Sequence, residues 1–461
     1  MSHVAVFDIG KTNAKLSAVG ADGQLALTLG TPNRTRPGPP YSHHALDEME
    51  AWLCQSLAEL HRRHPIEAIV LSGHGSGGVL VDADGPTMPM IDYETTTPPD
   101  VDARYQELVG SFVERGSSIM LGAAHLARQL LWLETGWPEQ VAGARYFLPL
   151  PQYWAWRLSG VAATEVTSLA AQSHLWNVTE RRFASIVGAC GWTRLMPPLT
   201  PAWTTLGPLT EEMATRIGLP HRTRVLCGIH DSSANLYRYQ AAGLADMTVV
   251  STGTWLVAIN DRPDVTALAE QAGLSWNSDV RGQPLAGVLT MAGREYGILT
   301  GNAPPVALEL GDVAELVAAG TMALPSFGAD DGFFPGSAGK GMIAGPAPTT
   351  PASRQALAVL HMALLTDTAL NQLPPTAKII LDGSFVREPL FPALVAALRR
   401  EPVFVSADRY GTATGAALLA SHAGRVAPAP ITLARAEPAS IAGLDIYHKT
   451  WRERVGTRSG R

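Results

Sequence analysis

The sequence predicts an α/β protein built from two domains that face each other across a cleft. Two observations predict it. Short apolar strands alternate with amphipathic helices along most of the chain. One local pattern, a strand, a glycine turn with hydroxyl residues and a returning strand, occurs first over residues 4–19 and again over 247–259, which reads as an internal duplication. The 461 residues accommodate two large domains, and the division is placed between 1–242 and 243–461.

The first half opens with Val4-Ala5-Val6-Phe7 as a strand, Asp8-Ile9-Gly10-Lys11-Thr12-Asn13 as its turn, and Lys15 to Val19 as the return. Asp22-Gly23 makes the next turn, so this reads as a β-hairpin at the edge of a sheet, with Leu25 to Leu29 as a third strand. In residues 45–63, Leu46, Met49, Leu53, Leu57 and Leu60 recur at helical spacing. Ile66 to Ser72 is a buried strand, followed by the glycine-rich Gly73-His74-Gly75-Ser76-Gly77-Gly78, the short run Val79 to Val81 and a hairpin turn at Asp84-Gly85. Residues 123–135 read as a helix, Pro149 to Leu158 begins another amphipathic segment with Trp154 and Trp156, and Pro197, Pro198 and Pro201 mark a loop. Val225-Leu226-Cys227 is a strand, Gly228-Ile229-His230-Asp231 its turn, and Ser232 to Tyr239 a helix capped by Asp231 or Ser232.

The second half repeats the opening, with Met247 to Ser251, the turn Thr252-Gly253-Thr254, and Trp255 to Ile259. Ala352 to Leu373 is a long helix and Ala377 to Leu381 a strand ending in Asp382-Gly383-Ser384. Leu390 to Arg399 (helix), Val403 to Val405 (strand) and Thr412 to Ser421 (helix) follow.

Composition excludes several function classes. Apolar residues make up 46% and charged residues 16%, the latter below the ~25% of an average globular protein. The 44 glycines and 34 prolines are spread along the chain and mark turns. A net charge of −6 with no long basic run argues against nucleic acid or an anionic membrane as partner. Cys54, Cys190 and Cys227 lie too far apart for a disulfide framework or a CxxC metal pair. The N-terminus lacks the basic flank and long apolar stretch of a signal peptide, and no run of ~18 uncharged apolar residues marks a membrane span. A soluble cytoplasmic protein is expected.

The turns carry the chemistry. Backbone N–H groups at the Gly10 turn can hold phosphate oxygens, Thr12 and Asn13 can add hydrogen bonds, and Asp8 at a strand end can anchor Mg²⁺ through water. Ser251-Thr252-Gly253-Thr254 is a second such turn, and two opposed turns suit a polyphosphate. Asp231, after a strand and beside His230, reads either as a helix cap or as a carboxylate that takes a proton from a substrate hydroxyl. The small-residue turn Asp382-Gly383-Ser384 lets a flat ring approach the backbone. Gly336-Ser337-Ala338-Gly339-Lys340-Gly341 mimics a P-loop but lacks its first glycine and its Ser or Thr after the lysine, so it reads as a mobile loop. His61 and His64, and the pair His43-His44, read as solvated faces.

Together these pieces resemble the FGGY family of carbohydrate kinases, within the actin, hexokinase and heat-shock ATPase superfamily, from about residue 4 to residue 421. FDIGKTNAKLSAVGADG resembles the family's first phosphate loop, GIHDSSA the segment with the catalytic Asp, and STGTW the second phosphate loop. LDGSFVREPLFPALVAALRREPVFV followed by GTATGAALLA resembles the adenosine-binding strand and helices. The resemblance implies two actin-like (ribonuclease H-like) domains with a ligand cleft between them, the first binding sugar and carrying the catalytic Asp231, the second binding the nucleotide. It implies Asp8 for Mg²⁺, Lys11, Thr12 and Asn13 on one side of the ATP phosphates and Thr252, Gly253 and Thr254 on the other. It places Gly293, Gly383 and Ser384 beside the nucleoside. His230-Asp231 and the Trp of STGTW look like the branch acting on L-fuculose and L-rhamnulose, which implies a 6-deoxy-ketohexose phosphorylated at its 1-OH. The chain departs from that branch at Gly77, where an Asp is expected, and PMIDYETTTPP lacks the usual following Arg. His74, Ser76, Asp92, Tyr93, Glu94 and His230 are therefore the candidates to meet the sugar, together with Asp231. Ser384 replaces a second glycine, and Glu388 stands where an Asn or Ser is often found.

A pentulose or polyol kinase on the same fold is the alternative acceptor class, and a non-catalytic sugar or nucleotide sensor is the alternative of a different kind. Intact Asp8 and Asp231 argue against the sensor. Small-molecule sugar and ATP are the expected partners, with a homodimer left open.

Overall fold

The computed structural model describes residues 2–262, 268–329, 332–408 and 410–459, with side chains through residue 456. The chain divides into two compact units. Unit 1 comprises Met1–Leu244, Trp276–Leu285 and Tyr410–Ile431; unit 2 comprises Ala245–Ser275, Ala286–Arg409 and Thr432–Arg461. This grouping differs from a single cut after residue 242, because two later segments return to unit 1.

The sheet of unit 1 runs, in spatial order, Thr205–Pro208, Arg224–Leu226, Ile66–Gly73, His3–Ile9, Asn13–Gly20 and Leu25–Pro32. The short strand Ile229–His230 also pairs with Ile66–Gly73, opposite Ser72 and Gly73. The opening hairpin is therefore not an edge feature through its first strand. His3–Ile9 pairs antiparallel with Asn13–Gly20 on one side and parallel with Ile66–Gly73 on the other. The continuous run Ala5-Val6-Phe7 fits this place, since such a strand is covered on both faces. Phe7 and Ile9 join one core with Leu53, Leu57 and Leu60 of the helix Leu46–Arg63 and Trp154 and Leu158 of the helix Leu150–Ser159. Val6 points the other way, into a core with Ala234 and Tyr237 of the helix Asp231–Ala241 and Ala413 and Ala416 of the helix Gly411–Ala417. That second core is built on close approach: a Cβ at Gly415 would lie 2.0 Å from the Ala234 carbonyl oxygen.

A second seven-stranded sheet, most of whose strands belong to unit 2, runs in the order Leu274–Ser278, Pro284–Thr290, Leu256–Asn260, Met247–Thr252, Lys378–Gly383, Val403–Ser406 and Leu433–Arg435. From Pro284–Thr290 onward its pairings are antiparallel, antiparallel, parallel, parallel, antiparallel. Starting from Leu25–Pro32, the sheet of unit 1 gives the same succession. The duplication read at 4–19 and 247–259 thus extends through both sheets. The helix Pro351–Leu370 starts with a Thr350–Ser353 capping box and Pro351 in its first turn, and most of its surface is buried.

Other local expectations are adjusted. Val79 to Val81 lies in the strand Gly78–Val81, which pairs with Tyr146–Pro149. The helix from Gly411 ends at Ala417 and tightens into a 3₁₀ segment over Leu418–Gly424. Residues 336–341 form a pinned loop rather than a mobile one: Gly339 N–H donates to Gly328 O at 2.6 Å, Gly341 N–H to Ser326 O at 2.7 Å, and the Ser326 and Ser337 hydroxyls are 2.8 Å apart. No helix among the described residues is long and apolar enough to cross a membrane.

Candidate active site

Unit 1 gathers most of the candidate side chains at the ends of three strands: His3–Ile9, Ile66–Gly73 and Ile229–His230. The first turn closes with Gly10 N–H donating to Asn13 O at 2.9 Å. Asn33 pins it: its side-chain amide donates to Gly10 O at 2.8 Å and its backbone N–H to Thr12 O at 2.8 Å. Thr12 and Asn13 are exposed, with Asn13 Nδ2 donating to Thr12 Oγ1 at 3.0 Å. Lys11 leaves this turn; its ammonium is ion-paired with Asp92.

Asp8 lies opposite Lys15 and Ser72 in the sheet. Its carboxyl is pushed up to about 7, first by desolvation and then by the negative charge of Asp231, with Lys15 opposing. Two carboxylates close enough to repel in this way suit a divalent cation, which would answer both charges. Among the described residues no group of three or more His, Cys, Asp or Glu is arranged to hold a metal, so a cation here would keep much of its water, as Mg²⁺ does.

Asp231 is the first residue of its helix, and the cap is His230, without a side-chain capping bond. This corrects the expectation that Asp231 or Ser232 caps the helix. The reason is that Ile229 and His230 still run as strand, so the chain turns helical one residue later. Asp231 Oδ1 accepts from Ser232 N–H at 2.5 Å and Ser232 Oγ–H at 3.2 Å, and lies 3.2 Å from His230 Nε2. Burial pushes the His230 imidazole down despite the Asp231 charge beside it. A neutral His230 that donates from Nε2 to Asp231 must accept at Nδ1, and the Ser233 hydroxyl stands 3.1 Å from it. The Asp231 side chain keeps 27% exposure, so it is accessible.

Two residues that sequence reasoning missed hold this loop from below. Glu165 is fully buried, and its Oε2 accepts from Thr167 Oγ1 at 2.6 Å and from Ser168 N–H at 3.0 Å. Thr167 Oγ1 in turn accepts the His230 backbone N–H at 3.1 Å. The Glu165 carboxyl is raised to about 7 by burial, against these hydrogen bonds. The run Glu165-Val166-Thr167-Ser168, an acid three residues before a serine at a helix start, is the signal that could have found them.

The acceptor candidates form a second group in unit 1. His44 is buried, which corrects its reading as a solvated face; in the short strand His43–His44 alternation turns His43 outward and His44 inward. The His44 ring lies 6.0 Å from that of His74, and His74 lies 5.5 Å edge-on to Tyr93. Neither ring nitrogen of His74 has a hydrogen-bond partner among the described residues, and both are buried. Desolvation first, and then the neighbouring His44, hold His74 at about 3 and keep it neutral. Ser76 O accepts from Gln129 Nε2 at 2.8 Å, and Glu94 N–H donates to Asp92 Oδ1 at 3.2 Å. Gly77 has a packing reason: a Cβ there would sit 3.0 Å from Leu150 Cβ and 3.2 Å from His74 Cε1. An Asp at this position would have to displace one of them.

In unit 2 the nucleotide candidates meet around Thr252. Ser384 N–H donates to Thr252 O at 2.8 Å, Phe385 N–H to Thr252 Oγ1 at 3.2 Å, and Thr252 Oγ1 to Asp382 O at 2.6 Å. The buried Thr252 hydroxyl is thus spent on joining two parallel strands, while Thr254 is exposed. Gly383 has φ +95°, and a Cβ there would lie 2.1 Å from Thr252 O. Gly293 is equally confined: its Cβ would lie 2.1 Å from Gly253 O. Gly293 and Gly383 are thus glycine because neighbouring backbone, at Gly253 and Thr252, takes the place of a side chain, and this draws Thr252, Gly253, Gly293, Gly383 and Ser384 into one tight cluster.

The chain is similar to known proteins in sequence and fold. The N-terminal domain of the FGGY family of carbohydrate kinases matches residues 3–237, and the carbohydrate kinase FGGY C-terminal domain matches residues 244–428. An L-fuculokinase of Escherichia coli (strain K12) is 26% identical over 289 residues, 60% of this chain and 60% of that protein. The chain thus spans under two thirds of the length of this curated relative. A solved carbohydrate kinase from Novosphingobium aromaticivorans is 31% identical, with a TM-score of 0.83 over 99% of both chains. A xylulose kinase from Rhodospirillum rubrum, 19% identical, has a TM-score of 0.78 over 99% of this chain and 98% of that one, and speaks for the fold alone. The fold held in common is the two-domain actin-like, or ribonuclease H-like, α/β fold.

Proposed function

Since the chain belongs to the FGGY family of carbohydrate kinases, we propose that it transfers the γ-phosphoryl group of ATP to a sugar hydroxyl, with Asp231 as the base. The environment of Asp231 carries this reading. Its Oδ1 is engaged by His230 and Ser232, which orients the carboxylate and leaves Oδ2 to meet the acceptor. As the acceptor oxygen bonds to phosphorus and the bond to ADP breaks, the hydroxyl proton passes to Oδ2. An ordinary carboxylate suffices, because positioning and charge stabilisation supply most of the rate in phosphoryl transfer.

The remaining roles follow from chemistry. Thr12 and Asn13 offer exposed side-chain donors to phosphate oxygens from the first turn, and the exposed Thr254 hydroxyl beside Gly253 offers another from the second. Gly293, Gly383 and Ser384 take the nucleoside. Asp8 is the residue to hold Mg²⁺, which when bound neutralises phosphate charge. His74, with both ring nitrogens unspent, is suited to a sugar hydroxyl, which can donate to one and accept from the other; Ser76, Asp92, Tyr93, Glu94 and His230 complete the acceptor group. The reaction is assigned to the cytoplasm.

The substrate favoured is a ketose, a 6-deoxy-ketohexose such as L-fuculose or L-rhamnulose phosphorylated at its 1-OH; the L-fuculokinase relative supports it. A pentulose is the second reading, favoured by a xylulose kinase of Bacillus subtilis (strain 168) that is 24% identical over 283 residues. The test is ADP release from Mg-ATP against a panel of ketoses, aldoses, polyols and aldonates. Sugar-dependent release is expected, fastest with a ketose. Binding of ATP with no release on any acceptor would sink the kinase reading in favour of a sensor.

A further inference from the structure

Lys11 lies on the first turn, yet its side chain reaches 81 residues along the sequence to Asp92. The ammonium pairs with Asp92 Oδ1 and sits 4.8 Å from the centroid of the Tyr93 ring. The two charged side chains are only 13% and 12% exposed. Asp92 is itself held: Oδ1 accepts from Glu94 N–H at 3.2 Å, and the Asp92 N–H donates to Ser42 O at 2.8 Å. His74 neighbours both this pair and the proposed base. It touches Tyr93 edge-on at 5.5 Å, and the charges of Lys11 and Asp231 both act on it. Lys11 therefore faces the group of residues assigned to the acceptor, not the exposed hydroxyl and amide of Thr12 and Asn13.

The pairing decides what charge an acceptor meets. A free ammonium would attract a carboxylate. Here that charge is already answered, and the oxygens beside it belong to a carboxylate that repels an acid. An uncharged polyhydroxy molecule suffers no such conflict. Its hydroxyls can donate to Asp92 and accept from Lys11, since an ammonium has three donors and a carboxylate four lone-pair sites. We propose that Lys11 and Asp92 act as one neutral unit of the acceptor site, and that this unit selects an uncharged sugar or polyol against a sugar acid. The proposal rests on the reading of unit 1 as the acceptor side, with Asp231 as base. The selection works by opposing the wrong ligand as much as by binding the right one.

The experiment measures ADP release for the best neutral acceptor and for gluconate, with ATP varied separately, in the wild type, Lys11→Met and Asp92→Asn. Lys11→Met is expected to raise the KM for the neutral acceptor by about tenfold and to leave the KM for ATP nearly unchanged. Asp92→Asn frees the ammonium, so the ratio of kcat/KM for gluconate to that for the neutral acceptor should rise by about tenfold or more. A KM for ATP that rises while the acceptor KM stays put would return Lys11 to the phosphates and overturn the proposal. An unchanged gluconate ratio in Asp92→Asn would also overturn it. If a single variant leaves a buried charge alone and does not fold, Lys11→Met/Asp92→Asn removes both charges; a raised acceptor KM then supports the proposal and a raised ATP KM refutes it. If the wild type releases no ADP with any acceptor, the kinase reading has failed, and the pair is tested by melting. A neutral sugar that raises the Tm of the wild type but not of Lys11→Met supports it, and the absence of that difference overturns it.

Discussion

The hydroxyl of Thr167 donates to Glu165 Oε2 at 2.6 Å and accepts the backbone N–H of His230 at 3.1 Å. It is thereby the joint between a buried acid and the loop that presents Asp231. Thr167→Val keeps the volume and removes the joint. A buried N–H is left without its acceptor, which costs about 1–3 kcal/mol. A drop in Tm with kcat reduced more than either KM is expected. An unchanged kcat in a folded variant would mean that the loop needs no such support.

Asp231→Asn should bind ATP and acceptor as before, because the hydrogen bonds to Oδ1 can persist. Loss of the proton acceptor should lower kcat by about 10²–10⁴-fold. Single-turnover phosphoryl transfer at wild-type rate would remove Asp231 from the role of base.

The Glu165 carboxyl, raised from 4.5 to about 7 by burial, sets a stability dependence on pH. Below 4.5 it is protonated in both folded and unfolded chains. Between 4.5 and about 7 the folded chain keeps a proton that the unfolded chain has released, so stability falls as pH rises through this window. The loss is at most about 3 kcal/mol. Asp8 has the same sign. Denaturant titrations of wild type and Glu165→Gln across this window isolate the Glu165 share: the variant should show the shallower fall. Parallel curves would show that Glu165 ionises at its ordinary value.

Gly383→Ala places a Cβ in a left-handed backbone position and against Thr252 O. Strain of about 1–3 kcal/mol is expected, together with a KM for ATP raised more than the KM for the acceptor. A variant that melts lower but retains its ATP affinity would leave Gly383 a structural residue only.

What the sequence disclosed has a physical pattern. Strands such as His3–Ile9, Ile66–Gly73 and Met247–Thr252, and the helix Leu46–Arg63, are written in local apolar spacing, and so were legible. So were the glycine turns that follow the first strand of each sheet, and Asp231 after its short strand. What could not be read are contacts that only the fold creates. Thr167 meets His230 across 63 residues, Lys11 meets Asp92 across 81, and Asn33 braces Gly10 across 23. His44 was mistaken for a surface residue because two residues of strand are too few for alternation to declare itself. The cap at His230 was displaced by one position because Ile229-His230 pairs with the end of Ile66–Gly73, a partner far away in sequence.

The return of residues 410–431 to unit 1 bears on how this chain is made. The helix Gly411–Ala417 covers the face of Asp231–Ala241 around Ala234, and Gly415 is there so that the two backbones can touch. On a ribosome, Asp231 and its helix emerge long before the piece that covers them. At roughly 5–20 residues per second the wait lasts on the order of 10–40 s. During it the apolar side of that helix stays open to other chains or to chaperones. A fragment cut after residue 244 would be arrested in the same state, so the second half of the gene carries part of the first unit's own core.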